Sequence, residues 1–276
     1  HVRHVSETNA YRHPEGADPV AFTKALLDEM EQAILEEGAD EVAIIIAEPV
    51  QNAGGCFTPP AGYWQGLRAL CDKYGILLVS DDVISAFGRI GEWYGANAYG
   101  YTPDMIVFAK GATAAQSPLG GVLLHDRVAE PFVSGRAYYM HGTTYSGHPV
   151  SCAVGLAVAD IYEREKVFEN VRENGPAFGQ MLDQLRSIDL VGDVRGTGYF
   201  WALELVKDRD TKQGFEGPEA DWLLRRTLTQ RVFDNGLLCR LDDRGDPVVQ
   251  LSPPLVADTD TLARIVGILG DVLTEV

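Results

Sequence analysis

Three short apolar runs, the first two preceded by stretches of helical periodicity, constrain the fold of this sequence more than any other feature. They are VAIIIAEPV, ILLVSDD and DMIVFAK, at residues 42–50, 76–82 and 104–110. Runs without polar alternation are typical of strands buried on both faces of a parallel sheet. Apolar residues repeat at helical spacing between Asp18 and Gly38 and again over about 61–74. We therefore predict an α/β fold with a mostly parallel sheet flanked by helices.

The pattern changes after about residue 165. An amphipathic stretch from 166 to about 187 precedes glycine-interrupted strands and a helix that begins near Pro218. Two short strands and a last helix, capped at about Asp258, follow. We predict that residues 1–165 form part of a large α/β domain and that residues 166–276 form a smaller C-terminal α+β domain.

Charge and composition argue against several classes of partner. The formal net charge is −17 and Lys and Arg do not cluster, whereas binding to a phosphate backbone needs a basic surface. No apolar run approaches the roughly 20 residues that span a bilayer, and no signal peptide is recognised. The four cysteines and six histidines lack the spacing of metal ligands. We expect no nucleic-acid partner, no membrane partner and no metal, and a cytoplasmic protein with reduced thiols.

Each of the three apolar runs ends in an ionisable residue: Glu48, Asp81 and Lys110. Ligands of open α/β sheets bind beyond the carboxyl ends of the strands. If the strands are neighbours, the three side chains meet in one site. Three independent ends facing solvent are the alternative, with Asp81 as a helix N-cap and Glu48 as a simple strand terminator.

A lysine and a carboxylate in one pocket suit a particular cofactor chemistry. A partly desolvated lysine can be a neutral amine that forms a Schiff base. Pyridoxal 5′-phosphate (PLP) uses such an imine, and a carboxylate beside its ring nitrogen keeps that nitrogen protonated. Spacing alone equally allows a structural ion pair.

Six sequence blocks in a fixed order carry a family resemblance. They are AEPVQNAGG, PPAGYWQGLRALCDKYGILLVSDDVISAFGRIGEWYG, PDMIVFAKG, PLGGV, TYSGHPVSCA and SPPLV. This order resembles the class III (ω-type) aminotransferases of the fold-type I PLP-dependent transferases. The resemblance implies PLP as cofactor and a homodimer with the active site at its interface. The sequence departs from the family at Asp82, where Glu is usual, at Ile90, where Thr is usual, and in having no counterpart of the family's N-terminal portion.

The resemblance also implies roles for four residues. Lys110 would form the Schiff base, Asp81 would pair with the pyridinium nitrogen, and Val83 would lie against one face of the ring. Thr144 would donate a hydrogen bond to the cofactor phosphate across the dimer interface. Val83 as ordinary core and Thr144 as the N-cap of the helix over 151–162 are the alternatives.

Substrate-binding residues are implied less uniquely. In ω-amino acid:pyruvate members of the family, a mobile arginine shortly before the PPL motif pairs with the acceptor carboxylate. Arg240 in LLCRL resembles that residue, and Arg244 competes for the role. Gln250 stands where other branches carry an arginine, and Glu48 is the second substrate-side candidate.

The predicted function is that of a PLP-dependent transaminase. It would transfer an amino group from an amine or ω-amino acid to an oxo acid such as pyruvate, through a lysine Schiff base. Two alternatives share the motifs. One is a PLP-dependent aminomutase of the same fold, and the other is an inactive fragment or non-catalytic dimerising subunit.

Overall fold

A computed structural model describes residues 1–242 and 244–276. Its first sheet has the strand order β1-β2-β3-β4. The strands are β1 Ile44–Ala47, β2 Leu77–Asp81, β3 Met105–Phe108 and β4 Gly121–Leu124. The first three are parallel and β4 runs antiparallel to β3. The predicted mostly parallel sheet flanked by helices is confirmed.

The register of this sheet aligns the carboxyl ends of its first three strands. Ala47 lies opposite Ser80, and Asp81 lies opposite Val107. Neighbouring strands are about 4.8 Å apart. The residues that end or follow these strands therefore lie along one edge of the sheet, as the sequence predicted.

Two helices, α1 Pro19–Glu37 and α2 Tyr63–Tyr74, cover one face of the first sheet. The carboxylate of Asp18 caps α1 by accepting a hydrogen bond from the backbone N–H of Val20 at 2.9 Å. The shared apolar core includes Phe22, Leu26, Ile34, Ile45, Trp64, Leu67 and Leu78. This core fixes the sheet on its helical side.

The opposite side of the edge strands differs from the expectation of strands buried on both faces. Ile46 of β1 is 60% exposed, and Val122 of β4 is 52% exposed. Alternation along β1 turns Ile45 towards the helices and Ile44 and Ile46 away from them. The expectation is therefore wrong for β1, where Ile44 and Ile46 face outward, and Val122 of β4 is exposed in the same way.

Three further helices follow in the first half: α3 Gly95–Tyr99, α4 Asp126–Val133 and α5 Pro149–Arg164. Tyr162 of α5 donates a hydrogen bond to the carbonyl oxygen of Gly111 at 2.7 Å. This contact ties α5 to the segment that follows β3.

The second half forms an antiparallel sheet of order β5-β6-β8-β7. Its strands are β5 Val191–Thr197, β6 Phe200–Leu205, β7 Arg240–Asp242 and β8 Val248–Leu251. The helices of this half are α6 Val167–Asp183, α7 Gly217–Asp221, α8 Thr229–Asp234 and α9 Thr259–Thr274. A π-helical segment, Trp222–Leu228, lies between α7 and α8. Asp258 caps α9 as predicted, accepting from the N–H of Thr261 at 2.9 Å. The change of architecture follows α5, while the two-domain division at 165/166 stays a prediction. Within the described ranges, no helix is long and apolar enough to cross a membrane.

The second sheet and its helices enclose the largest apolar cluster of the described residues. Phe178 of α6 is fully buried there, with Tyr199 and Trp201 at its ring edges. Phe233 of α8, in contrast, is 62% exposed. The two phenylalanines form a matched pair for testing this core.

We expect Phe178→Ala to lower the free energy of unfolding by about 3–5 kcal/mol, because it removes buried apolar area and leaves a cavity. Phe233→Ala should cost less than about 0.5 kcal/mol, since its ring is already in water. Urea unfolding of both variants, followed by circular dichroism, measures the difference. Equal losses would contradict the described core.

Candidate active site

Lys110 begins a one-turn 3₁₀ helix, Lys110–Thr113, directly beyond β3. Its backbone φ is +38°, a left-handed conformation that is costly for a residue with a side chain. The side chain of Lys110 is exposed. The expected partial desolvation is therefore not met in this chain, because the described residues leave the ammonium open to water.

Lys110 and Arg240 line the same cavity, of about 860 Å³. Its wall combines apolar residues, including Ile84, Phe87 and Leu255, with polar ones, including Asn52, Gln250 and Ser252. Of the residues that the structure describes, the lining does not include Asp81, Val83, Glu48 or Thr144. The cavity thus brings together two of the six predicted site residues.

Glu48 links the other strand ends to Lys110 electrostatically. Burial raises the pKa of its half-buried carboxyl, and a hydrogen bond from the N–H of Asn52 at 3.1 Å opposes that rise. The negative charge of Asp81 raises the same pKa further, and the positive charges of Lys110 and Arg244 lower it. The charges of Asp81 and Lys110 thus both act on Glu48, in keeping with the register that places all three at one edge of the sheet.

Asp81 ends β2 and is half-buried. Its Oδ1 accepts a hydrogen bond from the N–H of Val83 at 3.2 Å. The residues that follow form turns, and α3 begins only at Gly95. The helix N-cap interpretation of Asp81 is therefore wrong, and its pairing with a pyridinium nitrogen stays a prediction.

Asp82, the departure from the family pattern, is fully buried. Its carboxyl accepts hydrogen bonds from the N–H of Gly95 at 2.6 Å and from the hydroxyls of Ser80 and Ser85. Burial raises the pKa of Asp82, and these three donors oppose that rise. Asp82 thereby anchors the end of β2 to the start of α3 and fixes the backbone that carries Asp81.

Among the described residues, Val83 and Thr144 do not line the cavity. Val83 is half-buried, and Thr144 lies in the exposed stretch 141–150. The N-cap of α5 is His148, so the interpretation of Thr144 as that cap is wrong. The roles of Val83 against the ring and of Thr144 at the phosphate stay predictions.

Arg240 and Arg244, the two candidates for a substrate carboxylate, share one buried partner. Asp242 is 5% exposed, and its Oδ2 lies 3.0 Å from Nη2 of Arg240 and 2.7 Å from Nη2 of Arg244. Burial works to raise the pKa of Asp242, but the hydrogen bonds from Arg244 and both positive charges hold it below its usual range. Sequence reasoning missed Asp242, although strand alternation puts residues 240 and 242 on one face.

Arg89 is a second cavity residue that sequence reasoning missed. Its guanidinium donates to the carbonyl oxygens of Tyr199 at 3.0 Å and Pro253 at 2.7 Å. Burial lowers the pKa of Arg89 to about 10. Arg89 therefore joins the turns after β2 to the second sheet, and no sequence signal marked it.

The loop that carries Asn52 is held by the second sheet. Gln250 donates to the carbonyl oxygen of Asn52 at 2.6 Å. Arg195 donates to the carbonyl oxygens of Gly54 and Gly55 at 2.7 and 2.6 Å. A Cβ on Gly55, whose φ is +104°, would lie 2.8 Å from a methyl carbon of Val248. Gln250 is thus a support for the cavity wall at the position where other branches carry arginine.

Comparison with known proteins identifies the family. The sequence profile of class III aminotransferases matches residues 5–273. A probable aminotransferase of Mycobacterium tuberculosis is 49% identical over 98% of this chain and 58% of its own length. A putrescine–pyruvate aminotransferase of Pseudomonas aeruginosa is 40% identical over 96% of this chain and 57% of its own length. The chain belongs to the class III aminotransferase family.

A solved structure supports the same assignment. An amine transaminase from an uncultivated Pseudomonas species, described as PLP-bound in its internal aldimine form, aligns with a TM-score of 0.89 and 37% identity. The alignment covers 96% of this chain and 60% of that structure. The expected fold-type I architecture is confirmed, and the chain spans about 58% of the length of the first-named relative.

Class III aminotransferases depend on PLP, and the described residues fit part of that cofactor. An amine at Lys110 and a carboxylate at Asp81 occupy adjacent strand ends, which is the donor set that the aldehyde and the ring nitrogen require. The cavity beside Lys110 has apolar walls suited to an aromatic ring. Thr144, the predicted phosphate donor, is exposed. The neighbouring strand ends thus suit the reactive end of the cofactor, although Asp81 does not line the cavity that Lys110 lines.

The raised pKa of Glu48 predicts a pH dependence of stability. Its folded state holds a proton to higher pH than the unfolded state, so its contribution is full below the ordinary pKa and is lost as pH rises through the folded pKa. Glu48→Gln removes this loss. The free energy of unfolding of Glu48→Gln, relative to that of wild type, should therefore increase as pH rises from about 4 to about 7.

Glu31 is the control, because substitution of this residue should change stability with pH in the opposite direction. Hydrogen bonds from Lys73 and Tyr74 lower its pKa, so its contribution is present above the ordinary pKa and is lost as pH falls. Relative to wild type, Glu31→Gln should become less stable as pH rises towards the ordinary pKa of about 4.5, and the difference should stay constant above it. Urea titrations of the three proteins at several pH values measure both trends, and trends of the same sign would contradict the described burial of Glu48.

Proposed function

We propose that the whole protein is a PLP-dependent transaminase that moves an amino group from an amine or ω-amino acid to an oxo acid such as pyruvate. The observation that carries this proposal is the alignment of Lys110 and Asp81 at neighbouring strand ends, with the charges of both acting on Glu48. The relative that is 40% identical is named for putrescine and pyruvate, which supports an amine donor and a small oxo acid.

Each residue has a distinct task in this proposal. PLP supplies an aldehyde that condenses with amines and a ring that withdraws electrons from the substrate carbon. The amine of Lys110 would hold the cofactor through its aldehyde and, once released, would take the proton from the substrate carbon that bears the amino group. The carboxylate of Asp81 keeps the proton on the ring nitrogen.

The cavity supplies binding and exclusion of water. Arg240 lines it and presents a guanidinium that can hold a carboxylate through two parallel hydrogen bonds. Ile84 and Phe87 give the apolar wall against which the carbon chain of a substrate can lie. Glu48, whose carboxyl feels the positive charge of Lys110, is the second substrate-side residue.

Four further features belong to the proposal. They are the ring-face role of Val83, the phosphate contact of Thr144 across a homodimer interface, the cytoplasmic location and the division into domains at 165/166. Thr144 lies in an exposed stretch, which supports a partner there.

Substitution of Lys110 by alanine should abolish both the visible absorption band of protein-bound PLP and amine transfer, because no amine remains to form the imine. Lys24, exposed on α1, provides the control, and Lys24→Ala should retain the band. Spectra of the whole protein with and without added PLP check this. A persistent band in the Lys110 variant would place the covalent link elsewhere.

Substitution of Asp81 by asparagine should lower kcat by about 10²–10³, the scale of losing one preorganised electrostatic contact. Asp81→Glu keeps the charge and should recover part of the rate, whereas Asp40→Asn, in an exposed turn, should match wild type. The assay follows product formed from an amine and pyruvate. Turnover that does not require added oxo acid would favour an aminomutase instead.

A further inference from the structure

Asp242 stands at the carboxyl end of β7 and pairs with both candidate arginines, of which Arg240 lines the cavity. It is buried, while the side chains of Arg240 and Arg244 are 49% and 51% exposed. A buried carboxylate is stable only when it is paired and hydrogen-bonded. Two guanidiniums thus share one carboxylate at the edge of the site.

The two arginines hold Asp242 differently. Arg244 uses Nε to contact both carboxylate oxygens at 3.1 Å and adds Nη2 at 2.7 Å. Arg240 makes one described contact, from Nη2 to Oδ2 at 3.0 Å. A fork of several hydrogen bonds is stronger than a single one. Arg244 therefore keeps Asp242 neutralised even when Arg240 leaves.

Only one of these arginines lines the cavity. Arg240 does so together with Lys110, whereas Arg244 is absent from the lining formed by residues 1–242 and 244–276. The charge of Arg244 acts instead on Glu48. Arg240 is thus free to exchange partners, and Arg244 is an anchor.

We infer that Asp242 is a positioning residue that imitates a substrate carboxylate: it holds Arg240 until the carboxylate of a monocarboxylic oxo acid replaces it. This inference rests on the proposed function, because it takes an oxo acid as acceptor. One guanidinium is released while the other stays paired with Asp242, so the site gains one free positive charge. That charge matches one carboxylate, and a monoamine donor, which has no carboxylate, does not compete for it.

The test compares Asp242→Asn, Arg244→Lys and the double variant in the whole protein. Asp242→Asn removes the competing charge, so the KM for pyruvate should fall about three- to fivefold, the scale of a partly exposed ion pair. Arg244→Lys keeps the charge but loses the fork, so Asp242 should hold Arg240 more firmly and the KM for pyruvate should rise by a similar factor. The KM for a monoamine donor should stay within twofold.

The double variant separates this role from a structural one. Because Arg244 acts through Asp242, Arg244→Lys should have no effect on the KM for pyruvate in the Asp242→Asn background. A KM that rises or stays unchanged in Asp242→Asn, or an effect of Arg244→Lys that persists in the double variant, would overturn the inference. Arg244 is exposed, so its variant remains informative if Asp242→Asn does not fold.

A binding measurement keeps the inference apart from the proposed function. The dissociation constant of propionate, a monocarboxylate without an oxo group, is measured by NMR titration on the same four proteins. It should follow the order predicted for the KM of pyruvate. Absence of amine transfer in wild type would contradict the proposed function alone, while propionate affinities in any other order would contradict the role of Asp242 alone.

Discussion

The parallel pairing of β1, β2 and β3 is the constraint on which the rest of the structure depends. Because Ala47 pairs with Ser80 and Asp81 with Val107, the residues that follow these three strands all lie at the same edge of the sheet. A shift of one residue in β2 would turn Asp81 to the other face. The apolar core beneath α1 and α2 fixes that register, so the chemistry at the edge follows from packing below it.

Buried polar contacts then connect the first sheet to the second. Glu204 is fully buried and pairs with Arg12 and Arg195 at 2.7 and 2.5 Å, and Arg195 also holds the loop that presents Asn52. Breaking such a network leaves an unpaired buried charge, which is more costly than never burying the pair. The cavity is therefore built by side chains from both sheets, although its lysine belongs to the first.

Much of this arrangement follows from local sequence. The caps at Asp18 and Asp258 are set by nearby residues, and the three apolar strands form where the sequence predicted them, although β1 is exposed on one face. The exposure of Ile46 and Val122 could not be predicted, because an apolar run does not show which face of the strand packs against another element. Arg89 was missed for a related reason: its partners are carbonyl oxygens of Tyr199 and Pro253, far along the chain. Asp242 was missed because its importance depends on two arginines meeting at one carboxylate.

A crystal structure of the whole protein grown with PLP tests the central claim most directly. Our account predicts continuous density from Nζ of Lys110 to the aldehyde carbon of the cofactor, and a carboxylate oxygen of Asp81 within hydrogen-bonding distance of the ring nitrogen. Density joining the cofactor to another lysine, or Asp81 turned into a separate cavity, would contradict it.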